Sequence, residues 1–302
     1  MTVKQLTHSC EKCGQFISGM AVILILLSMS SFGHADDGFF GTGYNDKINI
    51  RVASFWATTN TEIQVDSDSG VIGEALSFED DLNLSERETL PLIDITYRFN
   101  PHHLLDFSFV SLNRNGSTNF GRDGVTTDDI LWSVGTNIKS QFDSEVYRLA
   151  YGYSFINDGK REFGLLAGLH LTRFNVKLSG RGSVVAIDPV TGNEVVIEGE
   201  GQREYNSGFN VPLPVIGLHG AYAFTPDLHF RGWGQIFSLE YDDYDGRLLN
   251  LAGILEYALN EHFGIGLGYA YYGYEFNADG DRLNGSFDYK FRGPTAFFTA
   301  SF

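Results

Sequence analysis

The chain has 302 residues and a formal net charge of −17, from 38 acidic and 21 basic side chains. That balance argues against nucleic-acid binding, which needs a basic face toward the phosphates. Its only cysteines are Cys10 and Cys13, and a lone CxxC with no second pair is a weak metal or redox signal.

Lys4 and Lys12 precede a short apolar run, AVILILL at 21–27, and Gly33-His34-Ala35 forms a small-x-small site. This pattern reads as a secretory signal peptide over residues 1–35, cut after Ala35 and exported through the Sec pathway. Its removal takes both cysteines with it. No apolar run long enough for a membrane helix follows. Thirty-five glycines and 14% aromatics without such runs are what alternating barrel strands produce, because only every second residue meets lipid.

Residues 36–47 read as a periplasmic lead, and 48–302 as one barrel. Ile48, Ile50 and Val52 alternate with Asn49, Arg51 and Ala53, with Trp56 following, in the first strand. A long acidic loop spans about 60–86. Strand two (87–99) sets Ile93, Ile95, Tyr97 and Phe99 against Asp94, Thr96 and Arg98. Asn100-Pro101 turns the chain into strand three (about 102–113), where Leu105, Phe107 and Phe109 oppose Asp106 and Ser108. A second long loop runs to about 139. In strand four (about 141–156), Tyr147, Leu149, Tyr151, Tyr153 and Phe155 alternate with Arg148, Ala150, Gly152 and Ser154. Asn157-Asp158-Gly159 is a hairpin signal.

Strand five sets Phe163, Leu165, Ala167, Leu169 and Leu171 against Gly164, Gly168, His170 and Thr172. A third long loop, about 179–210, holds a hairpin of its own. Strand six (211–224) opens on Pro212 and Pro214, which suit a strand start. Its polar face carries His219. Strand seven (about 228–241) alternates poorly, since Trp233 shares a face with Arg231 and Gln235. Strand eight opposes Leu249, Leu251, Leu255 and Tyr257 to Asn250, Ala252 and Glu256. Strand nine opposes Phe263, Ile265, Leu267, Tyr269 and Tyr271 to Gly264, Gly266, Gly268 and Ala270. Strand ten (285–302) closes the chain on Phe298 and Phe302.

The expected fold is all-β: a transmembrane antiparallel up-and-down barrel of about ten strands, with eight or twelve as alternatives. In strand ten, Phe287, Tyr289 and Phe291 share one parity and Phe298 and Phe302 the other. One lipid face cannot hold both sets, so a β-bulge or bend at Gly293-Pro294 is expected, with Asp288, Lys290 and Arg292 facing the lumen.

These features resemble the small outer-membrane barrels of the OmpA and OmpW type. More closely, they resemble a group of Gram-negative outer-membrane barrels defined by architecture rather than activity. The resemblance rests on SFEDDLNL (77–84), ITYRFNPHHLLDFSF (95–109), YRLAYGYSF (147–155), FSLEYDDYDG (237–246) and GPTAFFTASF (293–302). It implies location in the cell outer membrane and a terminal strand, with Phe298 and Phe302, read by the barrel-assembly machinery. It also implies contact with outer-membrane lipids and lipopolysaccharide.

Asp94, Arg98, Asp106, Arg148, Arg231 and Glu256 are expected in the lumen as a structural ion-pair network, because buried charges need partners. His170 and His219 mark a candidate polar site there. Neither a metal nor a cofactor is expected: Asn277, Asp279 and Asp281 have oxygen-ligand spacing, but Arg282 breaks the calcium-loop pattern. The function expected is a monomeric, non-enzymatic structural or surface-interaction barrel with acidic extracellular loops. A narrow channel for small or apolar solutes is an alternative, suggested by Gly264, Gly266 and Gly268. An outer-leaflet lipid hydrolase is the second.

Overall fold

The computed structural model describes residues 46–65, 75–119, 126–127, 130–133, 135–187, 194–241, 244–280 and 283–302. The expected signal peptide and all but the end of the lead lie outside them. Ten long strands form the barrel: β1 Ile48–Val65, β2 Arg87–Asn100, β3 His103–Asn119, β4 Asn137–Asn157, β5 Arg161–Ile187, β6 Glu194–Ala223, β7 Leu228–Tyr241, β8 Tyr244–Ala258, β9 Phe263–Gly280 and β10 Leu283–Ser301. Three short strands (Leu76–Ser77, Thr126–Thr127, Ile130–Trp132) sit at the outer rim. Each long strand pairs antiparallel with the next in sequence, and β10 pairs with β1 from Asn49↔Ser301 to Val65↔Gly285. Ile48 and Phe302 complete the seam by exchanging two backbone hydrogen bonds of 2.9 Å.

The four turns at one end of the barrel are short because a side-chain oxygen replaces the missing ladder. Asn100 Oδ1 accepts the N–H groups of His102 and His103, at 2.9 and 3.1 Å. Asn260 Oδ1 takes those of His262 and Phe263, both at 2.9 Å. Asp158 and Thr225 do the same in their turns. At Asp158, hydrogen bonds from the Arg161 side chain and from the Arg161 and Lys160 amides hold the carboxyl below its ordinary range.

The strands are longer than their alternation alone suggests. β5 and β6 run 27 and 30 residues. The outward apolar runs of the strands are much shorter than the strands themselves: 147–155 on β4, 163–171 on β5, 249–257 on β8 and 263–271 on β9. About nine residues is the span of a tilted membrane strand. Beyond that band the outward residues turn polar. Arg173 faces Glu145 at 3.8 Å, Arg247 meets Asp245 at 3.0 Å, and Lys290 meets Glu275 at 2.9 Å and Asp288 at 2.6 Å. The third long loop is therefore the continuation of β5 and β6. The 60–86 loop is shorter than expected, since β1 continues to Val65. Pro212 and Pro214 lie within β6 and do not open it.

Inside the barrel the polarity runs the other way. Within the membrane band lipid takes the apolar residues and the lumen takes charges. Above it, water surrounds the wall and the interior becomes the apolar core. That inversion corrects the expectation for β10. The strand keeps one register against β9 from Phe263↔Ala300 to Gly280↔Leu283, with no bulge at Gly293-Pro294. Phe298 and Phe302 face outward in the membrane band, while Tyr289 and Phe291 are buried inside the half away from the short turns. Asp288, Lys290 and Arg292 consequently lie on the outer wall, not in the lumen. Both aromatic sets are on an apolar side of the same straight strand.

Candidate functional site

The lumen is the candidate site, and it is filled in layers. At the short-turn end, Arg98 makes a two-pronged contact with Glu162, at 2.9 and 2.8 Å. Ser154 Oγ donates to the same carboxylate, and His219 Nδ1 lies 4.0 Å from it.

In the middle layer, Arg148 contacts Asp94 at 3.4 Å and Asp106 more closely. Arg51 lies 3.6 Å from both Asp94 and Glu256, and His229 lies 3.6 Å from Glu256. Thr96 donates to Asp106 at 2.9 Å. Arg231 is on the same inner face, between His229 and Trp233 along β7. Two of these cations rest on rings: Arg148 5.1 Å from Trp233, and Arg51 5.1 Å from Phe297. The poor alternation of β7 thus has a cause, because Trp233 points inward to cover Arg148.

Of the six charged residues proposed from sequence, Asp94, Asp106, Arg148, Arg231 and Glu256 share one layer, and Arg98 belongs to another. His170 and His219 do not form one site. On the β5–β6 ladder, His170 sits opposite Leu213 and His219 opposite Gly164. Six residues of strand separate them, or about 20 Å. His170 is instead buried at mid-height. Its Nε2–H donates to Gln235 Oε1 at 3.1 Å, and its ring stacks on Tyr272. Beside it is a cavity of about 50 Å³, lined by Asp94, Arg148, His170, Trp233, Tyr272 and Phe291 among others. That is room for a few water molecules.

Above the cavity is an aromatic core. Phe174 makes edge contacts with Phe287 and Tyr289, both at 5.2 Å, and Tyr272 stacks on Phe291 at 4.9 Å. Residues 75–86 close the top as a cap. Arg114, with a fully buried side chain, donates to Glu79, to Thr59 Oγ1 at 2.9 Å and to Thr61 Oγ1 at 2.6 Å. Glu79 also accepts the Thr61 N–H at 2.9 Å. Phe78, Leu82 and Leu84 are buried beneath the cap, with Phe78 edge-on to Phe142 at 5.2 Å.

The cap pair, Arg51 and Glu162 were all missed by pattern reading. Arg51 and Glu162 do carry the inward parity of their strands, which is the signal that locates them. Glu79 lies in a stretch that reads only as an acidic loop.

The glycines of β9 do not line open space. A Cβ on Gly266 would run into the Phe297 ring and Leu255 O, and one on Gly268 would lie 2.6 Å from Ile254 Cγ2. They are small because Phe297 and Ile254 fill the volume they leave. Gly266→Val is therefore expected to destabilise the barrel by about 1–3 kcal/mol through overpacking. Urea unfolding of the refolded protein measures it; an unchanged midpoint would mean the wall is open there.

No protein-family model matches the chain, and no curated protein matches its sequence. Among solved structures it is similar to the outer membrane protease OmpT from Escherichia coli, at 14% identity and a TM-score of 0.56, over 86% of this chain and 98% of that one. A Pseudomonas aeruginosa FadL homologue matches at 11% identity and TM-score 0.36, over 85% and 90% of the two chains. The Pseudomonas putida toluene transporter TodX matches at 9% and 0.34, over the same shares. The likeness to OmpT is one of fold alone, and the other two are too distant in geometry to add to it.

Proposed function

We propose that this Gram-negative outer-membrane β-barrel is a closed scaffold that holds an extracellular β-structure at the cell surface, without a conducting lumen or a reaction of its own. The observation that carries this reading is the continuous filling of the lumen. The Arg98–Glu162 layer, the Arg51–Asp94–Arg148 layer, the aromatic core and the cap succeed one another, and the cavity between them is only about 50 Å³. Sec export, insertion by the assembly machinery, contact with lipopolysaccharide and a monomeric state belong to the same proposal.

The hydrolase alternative has little support. A general base must reach substrate and nucleophile. Among the described residues, the His170 ring is buried against Gln235 and Tyr272, His219 and His229 face Glu162 and Glu256 inside the filled lumen, and His102, His103 and His262 lie at the short turns. The channel alternative loses its motivating feature with the filled glycine wall.

Planar-bilayer recording on the refolded protein tests the proposal. No reproducible single-channel steps are expected. Steady unitary conductance would overturn the closed-lumen reading.

A further inference from the structure

Two long strands lose a laddered neighbour above the membrane band: β3, whose ladder with β2 ends at Leu92↔Val110 and whose upper part meets the cap, with Asn83 Nδ2 donating to Ser117 O at 3.2 Å, and β6. β6 pairs with β5 along its length, from Arg161↔Tyr222 to Ile187↔Glu194. Its pairing with β7 runs only from Ala223↔His229 to Ile216↔Ile236. Above that point, no described strand pairs with β6 on the β7 side. β7 goes on to pair only with β8, in a separate hairpin that ends at Tyr241↔Tyr244.

The sequence explains where the pairing stops. Along an antiparallel strand, successive residues direct their N–H and C=O groups to opposite neighbours. The Ala223 N–H goes to Lys160, on the β5 side, and the Phe224 N–H to Leu228, on the β7 side. Odd residues of β6 therefore bond β5 and even residues face β7. Pro214 and Pro212, both even, have no N–H to offer, so the β6–β7 ladder ends just below them. Past the prolines, Gln202, Glu204, Asn206 and Gly208 again carry N–H and C=O groups on that free side, and all four residues are exposed.

We propose that this edge of β6, Gln202 to Gly208, takes an extended lysine- or arginine-bearing polypeptide segment as an added strand. An open row of donors and acceptors is a template for strand addition. Seven residues match an ordinary strand length. Charge selects the occupant. Glu198, Glu200 and Glu204 are exposed along this part of β6, and Glu240 is exposed at the β7 tip across the gap. Arg203 pairs with Glu198 at 3.1 Å, and the cations Lys177 and Arg181 on the same outer face belong to β5, on the far side of β6 from the open edge. Two such edges repel one another, which disfavours a second copy and favours a basic partner. Exposed Val195, Val196 and Ile197 offer apolar contact at the upper end. The proposal rests on the reading that the barrel extension faces the outside medium.

The test uses the full refolded barrel in zwitterionic detergent and three labelled peptides: alternating lysine–valine, alternating glutamate–valine, and lysine–valine methylated on every backbone nitrogen. Fluorescence anisotropy is expected to show binding of the first only, with the other two weaker by at least about tenfold. Asn206→Pro extends the pattern of Pro212 and Pro214, leaves the β5 ladder intact, and is expected to abolish binding. Glu200→Lys with Glu204→Lys is expected to reverse the preference toward glutamate–valine. The idea is overturned if the methylated peptide binds as well as its parent, or if the Glu204, Asn206 and Gly208 amides already exchange slowly in the free protein. A concentration-dependent dimer through this edge overturns it too. A conducting barrel that still binds the peptide would refute the closed lumen alone; a silent barrel that ignores the peptide would refute the edge site alone.

Discussion

Arg114→Ala is expected to release the cap while leaving the barrel folded. The arginine side chain is wholly buried and is the cation that faces Glu79. Removing it strands a carboxylate in a site closed to water, at a cost of about 3–5 kcal/mol. The cheapest relief is local. Residues 75–86 can swing into water, giving up the burial of Phe78, Leu82 and Leu84 but keeping every rung of the ten-stranded ring. Protease cleavage within 75–86 should then rise on the order of a hundredfold or more, because cleavage follows the open population. Arg114→Met with Glu79→Gln should restore much of the protection, since no charge is stranded. Gly116→Val reaches the open state by another route: a side chain there would strike Leu82 O and lie 2.7 Å from Asn83 O. A cap as protected in Arg114→Ala as in the parent protein would show that the pair does not hold it.

Arg148→Ala should weaken the whole barrel instead. Its guanidinium lies between Asp94 and Asp106 and over Trp233, at the height of the membrane. No local segment can swing out there, because β4 is laddered on both sides to β3 and β5. The loss of about 3–5 kcal/mol should appear as global destabilisation, a lower urea midpoint with an unchanged slope. Adding Asp106→Leu to Arg148→Met should recover part of it, with Arg51 left to pair Asp94 at 3.6 Å. A midpoint unmoved by Arg148→Ala would mean that water, not the arginine, solvates these carboxylates. The two arginines thus separate two roles: one latches a movable cap, the other neutralises a fixed layer.

Strand alternation carried most of the architecture. Ile93, Ile95 and Tyr97 against Asp94, Thr96 and Arg98 gave both the strand and its faces, because a strand between lipid and a polar lumen must alternate. Asn100, Asp158, Thr225 and Asn260 marked the tight turns, each through an oxygen that accepts the turn amides. The terminal strand shows where this reading fails. Alternation gives two faces but not which medium each one meets. At Phe298 the outer medium is lipid, and at Lys290 it is water. The same parity therefore carries an aromatic residue in one place and a cation in the other. Read as though lipid bathed the whole strand, the pattern demands a bulge that the structure does not have.

The sequence by itself determined the ring of ten strands, its membrane band and the side on which its short turns lie, because these depend on local period and turn chemistry. Tertiary structure decided what fills the ring. That Arg114 meets Glu79, Arg98 meets Glu162, and His170 lies far from His219 depends on stagger between strands distant in the chain, which no local pattern encodes. The open edge of β6 lies between the two. Pro212 and Pro214 announce it in the sequence, but only the point where the β6–β7 ladder stops, at Ile216↔Ile236, shows that it is an edge.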